Sequence, residues 1–186
     1  MRTFIAIEIP GEIKVTLTDA QRKLKASGVV DASWSRPEGI HLTLKFLGDV
    51  SDSKVPDIIN GLRHAIERTG MFRLEVGSIG TFPNPKNARV VWVGLSGDVE
   101  KLSCLQIAVE DAVSHIGFER DERAFTPHLT LGRIKYIRSR DGWLKALAEV
   151  MDICSSGFDV TAVSLIKSEL KPSGAVYTEI SRIELN

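Results

Sequence analysis

The tetrapeptide His-Leu-Thr-Leu stands twice in the chain, at His41-Leu42-Thr43-Leu44 and at His128-Leu129-Thr130-Leu131, 128 − 41 = 87 residues apart. In extended backbone, residues two apart project to the same side. Each copy therefore turns an imidazole and a hydroxyl to one face and two leucines to the other. A chain that buries both pairs of leucines can bring the two polar faces together in related lobes. Chance alone repeats a tetrapeptide in roughly one chain in ten of this length. This repeat, however, takes up two of only four histidines.

The pattern around the repeat alternates strands and helices. Thr3–Ile9 reads as a strand, broken by Pro10-Gly11 before a helix over Glu12–Ala26 with Ile13, Leu17, Ala20 and Leu24 on one face. His41–Gly48 reads as a strand. A second helix follows, capped by Ser51 or Ser53, carrying Ile58, Leu62, Ala65 and Ile66 and ending near Gly70. Strands at Met71–Val76 and Arg89–Leu95 flank a loop with Pro83, Asn84 and Pro85, a plausible rim for a site. Asp98 caps a helix to about Ile116 with Leu102, Leu105, Ile107, Val109, Ala112 and Val113 on its apolar face. Then come a strand at Pro127–Ile134, a helix at Asp141–Val150, and strands at Phe158–Ser168 and Ala175–Leu185 about a turn at Lys171–Gly174. Short loops between neighbouring strands favour antiparallel pairing, and the class is α+β. Length divided by the usual domain size gives about 1.2, so 1–186 is expected to be one domain, internally bilobed.

Composition excludes several functions. Hydrophobic residues make up 43% and charged ones 26%, enough for a core and without a disorder signature. Lys plus Arg and Asp plus Glu are both 24, which leaves no net positive field for long polyanions, so nucleic-acid contact should be local. Cys104 and Cys154 sit in helix-like segments without metal spacing and read as small core residues of a reducing compartment. The apolar stretch Phe4–Ile7 stops at Glu8, far short of a signal core or a membrane span of roughly 20 residues. A cytoplasmic protein with no membrane partner is expected.

Two imidazoles beside two hydroxyls suit phosphate. In-line displacement at phosphorus needs a base for water and an acid for the departing alkoxide, and histidine serves both near neutrality. The hydroxyls of Thr43 and Thr130 can donate to the non-bridging oxygens. His-x-Thr twice offers two good metal ligands, short of the three or four expected of zinc, so neither metal nor cofactor is expected. Lys45 shares the parity of His41 and Thr43, so its ammonium is a candidate for the phosphate as well as for a solvated edge; the matching place in the second copy is Gly132, which leaves room. Arg133 has the opposite parity to His128 and would reach the cleft only if Gly132 permits a bulge. Arg36, Arg138 and Arg140 are candidates for a phosphate backbone beyond the reacting group, and Phe46, Phe82 and Phe125 for a stacked base or for the core; Tyr177 is equally open. His64 and His115 fall on helices and read as non-catalytic. Gly77-Ser78-Ile79-Gly80 reads as a turn.

The HxTx pair resembles the two-histidine (2H) phosphoesterase superfamily. Several surrounding features are similar to the bacterial and archaeal RNA 2′,3′-cyclic phosphodiesterases, once called 2′-5′ RNA ligases. These are Trp34, Pro37 and Glu38 before the first motif, Phe46-Leu47-Gly48 after it, Arg89–Gly94, Phe125-Thr126-Pro127 and Arg133 around the second, and Ser168-Glu169-Leu170 with Gly174 and Tyr177. The resemblance implies a bilobed, pseudo-twofold α+β fold in which two antiparallel-rich sheets with outer helices flank a central cleft. It implies hydrolysis of a terminal 2′,3′-cyclic phosphate to a 2′-phosphate, with His41 as proton donor and His128 as acceptor, and it favours a site role for Arg133. RNA ends or small cyclic nucleotides are the expected substrates and a monomer the expected state. The rival readings are 2′-5′ ligation of tRNA halves and a non-catalytic module that binds RNA ends or nucleotides.

Overall fold

The computed structural model describes residues 1–151, 157–172 and 174–186. Its elements run β1 (Arg2–Glu8), α1 (Gly11–Ala26), β2 (Val30–Trp34), β3 (His41–Asp49), α2 (Val55–Ile66), β4 (Phe72–Phe82), β5 (Val90–Gly97), α3 (Val99–His115), β6 (His128–Ile137), α4 (Arg140–Ala148), β7 (Phe158–Val160), β8 (Ala162–Lys171) and β9 (Gly174–Glu184). Two antiparallel sheets result, one ordered β3-β1-β8-β9 and the other β2-β6-β5-β4-β7. The α+β class with two antiparallel sheets is thus as expected. Each motif heads a strand, β3 in the first sheet and β6 in the second.

Strands β1 and β8, central in the first sheet, are buried on both faces over much of their length. In β1, Ile5 and Ile7 join the large core, while Phe4 and Ala6 form a small cluster with Ile166 on the opposite face. Helix α1 buries Ile13, Leu17, Ala20 and Leu24 as its spacing requires, carries Lys23 and Lys25 in its last turn, and gives way to Gly28 at φ +65°. It also buries Gln21, whose amide donates to the carbonyls of Leu131 at 2.7 Å and Ser35 at 2.9 Å, pinning α1 to the strands of the second sheet. Helix α2 packs on α3, and α3 on β3. No described helix is long and apolar enough to cross a membrane.

The structure departs from the pattern reading where local signals are weak or tertiary context overrides them. Strand β2, absent from the pattern, alternates half-buried and exposed residues and pairs with β6. Gly77–Gly80 is no turn: β4 runs through it with a register shift between Val76 and Ile79. The stretch Phe158–Ser168 breaks at Thr161, so that β7 joins β4 in one sheet and β8 joins β1 in the other. Ser51 and Ser53 do not cap α2, since a 3-10 turn at Asp52–Lys54 precedes it and the two hydroxyls face each other at 3.0 Å. Asp98 makes no side-chain cap; its carboxylate accepts from the Arg73 N–H instead. On α3, Ile107 is 55% exposed and Cys104 is exposed too, contrary to the core places expected, because the buried stripe runs instead through Gln106 and Glu110. Cys154 lies outside the described residues.

Candidate active site

His41 and His128 open β3 and β6, and both line one cavity of about 360 Å³ together with Thr43, Thr130, Arg133 and Tyr177. Both strands carry the same irregularity at the residue immediately after the threonine. Opposite β1, Ala6 faces Thr43 but Ile5 faces Lys45, skipping Leu44. Opposite β5, Trp92 faces Thr130 but Val91 faces Gly132, skipping Leu131. An extra residue reverses the side-chain alternation beyond it. Leu44 and Lys45 are accordingly both buried and Phe46 is 61% exposed on the cavity wall; Leu131 and Gly132 are both buried and Arg133 reaches the cavity. The carbonyl of Leu131, freed from the ladder, accepts the Ser35 N–H at 2.8 Å and the Gln21 amide.

The bulge therefore places Arg133 where simple alternation denied it, and removes Lys45 from where alternation put it. Lys45 does not line this cavity; its ammonium meets the Glu110 carboxylate at 2.6 Å, the Glu119 carbonyl at 2.7 Å and the Asp121 carboxylate at 3.2 Å. Two hydrogen bonds and an ion pair hold the ammonium there, away from the cavity that His41 and His128 line. The room expected at Gly132 is filled by Trp34: a Cβ there would stand 2.8 Å from the ring.

The two imidazoles sit in different surroundings. Phe4 stacks on His41 at 4.5 Å and Tyr177 meets it edge-on at 5.2 Å. Burial, and secondarily the Lys14 ammonium, pull its pKa down to about 4. His128 instead places Nδ1 2.7 Å from the Thr126 carbonyl. A carbonyl only accepts, so Nδ1 carries the proton and Nε2 keeps a lone pair in the neutral ring. Phe82 meets His128 edge-on at 5.3 Å and stacks on Trp92 at 4.9 Å, and Trp92 in turn rests against the bare backbone of Gly80.

Other candidates fall elsewhere. Phe125 lines a neighbouring cavity, Phe82 serves as a wall for His128, and Arg36, Arg138, Arg140 and the Pro83–Pro85 loop are not in the cavity lining. His64 and His115 flank a separate surface pocket between α2 and α3. Among the described residues, no three His, Cys, Asp or Glu side chains converge as a metal set. Pattern reading missed Phe4, Ser35 and the Thr126 carbonyl. Phe4 was accessible in principle, since it shares a β1 face with Ala6 opposite Thr43, but only once the β1–β3 register is known.

The LigT-like phosphoesterase model matches the chain twice, over residues 7–92 and 93–177, one match per motif. The chain belongs to the LigT-like phosphoesterase family. Within that family, it is 34% identical over 185 residues to a protein of Methanothermobacter thermautotrophicus named RNA 2′,3′-cyclic phosphodiesterase, covering 100% of this chain and 99% of the relative. The crystal structure of TT0787 of Thermus thermophilus superposes with a TM-score of 0.83 at 27% identity, covering 100% of this phosphoesterase and 98% of that chain. E. coli LigT, crystallised with 3′-AMP, shares the fold at TM-score 0.76 and 24% identity, over 99% and 97% of the two chains.

Proposed function

We propose that this LigT-like phosphoesterase is an RNA 2′,3′-cyclic phosphodiesterase that opens a terminal cyclic phosphate to a 2′-phosphate without a metal. The observation that carries the reading is the pair of imidazoles at equivalent strand positions on one cavity, in a chain similar over its full length to relatives of that name. Nε2 of His128 takes a proton from water as the water oxygen bonds to phosphorus. The P–O3′ bond breaks on the far side, and His41 gives its proton to the departing O3′. The hydroxyls of Thr43 and Thr130 and the Arg133 guanidinium stabilise the charge on the non-bridging oxygens. Tyr177 holds the His41 ring from its edge.

His41, with a pKa of about 4, is neutral at neutral pH. The phosphate supplies the correction. Its negative charge, brought beside the ring, favours the imidazolium and offsets the desolvation that suppressed it, so that substrate binding takes up the proton that catalysis spends.

The test is incubation of a short RNA ending in a 2′,3′-cyclic phosphate, with chelator present, with the parent, His41→Ala and His128→Ala. A 2′-phosphate made by the parent and lost in both variants is expected. A 3′-phosphate, or RNA bound but unconverted by the parent, overturns the reading, the latter in favour of a binding module.

A further inference from the structure

Lys45 is the charged group this chemistry leaves without a task. It is 3% exposed, driven into the interior by the β3 bulge against α3 and the segment that follows it. There its ammonium joins the Glu110 carboxylate, the Glu119 carbonyl and the Asp121 carboxylate. Glu110 also accepts the Asp121 N–H at 2.9 Å and the Gln106 amide at 3.3 Å. Burying an ammonium and a carboxylate costs desolvation that their attraction often fails to exceed, and apolar residues of like volume commonly hold a core as well. Stability is therefore a weak reason for this pair.

Its geometry suggests a stronger one. Residues 118–127 belong to no helix or strand; Glu119 to Thr126 border a cavity of about 530 Å³, and Phe118 and Phe125 also rest against the core. Lys45 and Glu110 grip the start of this segment at Glu119 and Asp121. Its far end presents the Thr126 carbonyl to Nδ1 of His128. The strand of the first motif thereby holds the approach to the second.

We propose that Lys45 is a positioning residue: by clamping residues 119–121 it sets the Thr126 carbonyl and, through it, the tautomer and aim of the His128 ring. The catalytic part of this inference rests on the phosphodiesterase reading; the effect on the ring does not.

The test uses Lys45→Met/Glu110→Leu, which removes the buried charges as a pair, with two readouts. One is the His128 tautomer by 15N NMR, and the other is kcat and KM on RNA ending in a cyclic phosphate. The expected result is a protein that melts within a few degrees of the parent, whose His128 loses its bias toward the Nδ1–H form. Its kcat falls about 10- to 100-fold with KM little changed. Lys45→Arg, which keeps a charged donor, restores the tautomer and part of the rate. An unchanged tautomer with unchanged kcat in the double variant overturns the proposal. If that variant does not fold, Asp121→Ala decides, because it removes the exposed leg of the clamp alone: a several-fold lower kcat with a weakened Nδ1–H signal supports the clamp, and parental values overturn it. A parent that hydrolyses no cyclic-phosphate RNA would sink the functional reading, while the tautomer would still judge the clamp.

Discussion

The two halves of the cavity share a frame and differ in what fills it. Residue for residue, β1 and β3 correspond to β5 and β6: Glu8 faces His41 as Gly94 faces His128, Ala6 faces Thr43 as Trp92 faces Thr130, and the same skip follows. At the matched places beyond the bulge, Lys45 and Phe46 stand against Gly132 and Arg133. The first half seals its histidine under Phe4 and beside Tyr177, which holds the ring neutral. The second leaves its histidine tethered to the Thr126 carbonyl and brings a guanidinium to the cavity. Two matching strand pairs thus supply position twice, while the neighbouring side chains leave one imidazole packed under Phe4 and the other tethered through Nδ1; the proposed mechanism uses the first as acid and the second as base.

The largest expected effect removes either half outright. His41→Ala and His128→Ala each lower kcat by about 10²- to 10⁴-fold in a steady-state assay, while Thr43→Val and Thr130→Val cost less, because each removes one of several donors to the phosphate. Full activity in either histidine variant breaks the comparison, since one half would then suffice.

The next effect separates the halves by pH. A folded-state pKa of about 4 against an ordinary 6.5 means that the unfolded chain takes up the His41 proton first as pH falls. Stability from this group is fully present above 6.5 and is lost as pH drops through 4, by up to about 3 kcal/mol. Denaturant unfolding at pH 7 and pH 4.5 should show a smaller difference for His41→Ala than for the parent. Phe4→Ala, which opens the ring to water, should raise the His41 titration point toward 6.5 by NMR, and added phosphate should raise it in the parent.

Packing differences give smaller effects. Gly132→Ala drives a Cβ against Trp34, where the equivalent place in β3 accepts a lysine, and should cost about 1–3 kcal/mol by denaturant unfolding. Ile107→Lys, at a place that the helical pattern assigns to the core and the structure to solvent, should change stability by less than about 0.5 kcal/mol.

The frame was legible in the sequence because its signals are local. The leucines of each HLTL copy, the stripe from Ile13 to Leu24, the glycines after α1 and α3 and the one near the end of β3 are written in spacing, and Gly28, Gly48 and Gly117 all adopt positive φ. The bulges could not be located from alternation, since a skipped residue depends on the partner strand's register; this misdirected Lys45, whereas Arg133, whose entry was conditional on a bulge at Gly132, does reach the cavity. Ile107, expected on the core face of α3, is exposed, while Gln106 and Glu110 are buried on the face where Glu110 meets the Lys45 ammonium. The split at Thr161 was hidden for a similar reason: an alternating run looks the same whether it serves one sheet or two.

The division of labour between the halves is tested most directly by moving the leaving group. An RNA whose terminal cyclic phosphate carries sulfur at the bridging 3′ position departs as a thiolate and needs no proton. The expected result is that His41→Ala hydrolyses this substrate within about 10-fold of the parent while His128→Ala remains slower by about 10²-fold or more. Rescue of His128→Ala instead, or of neither variant, would contradict the assignment of acid to the buried ring and base to the tethered one.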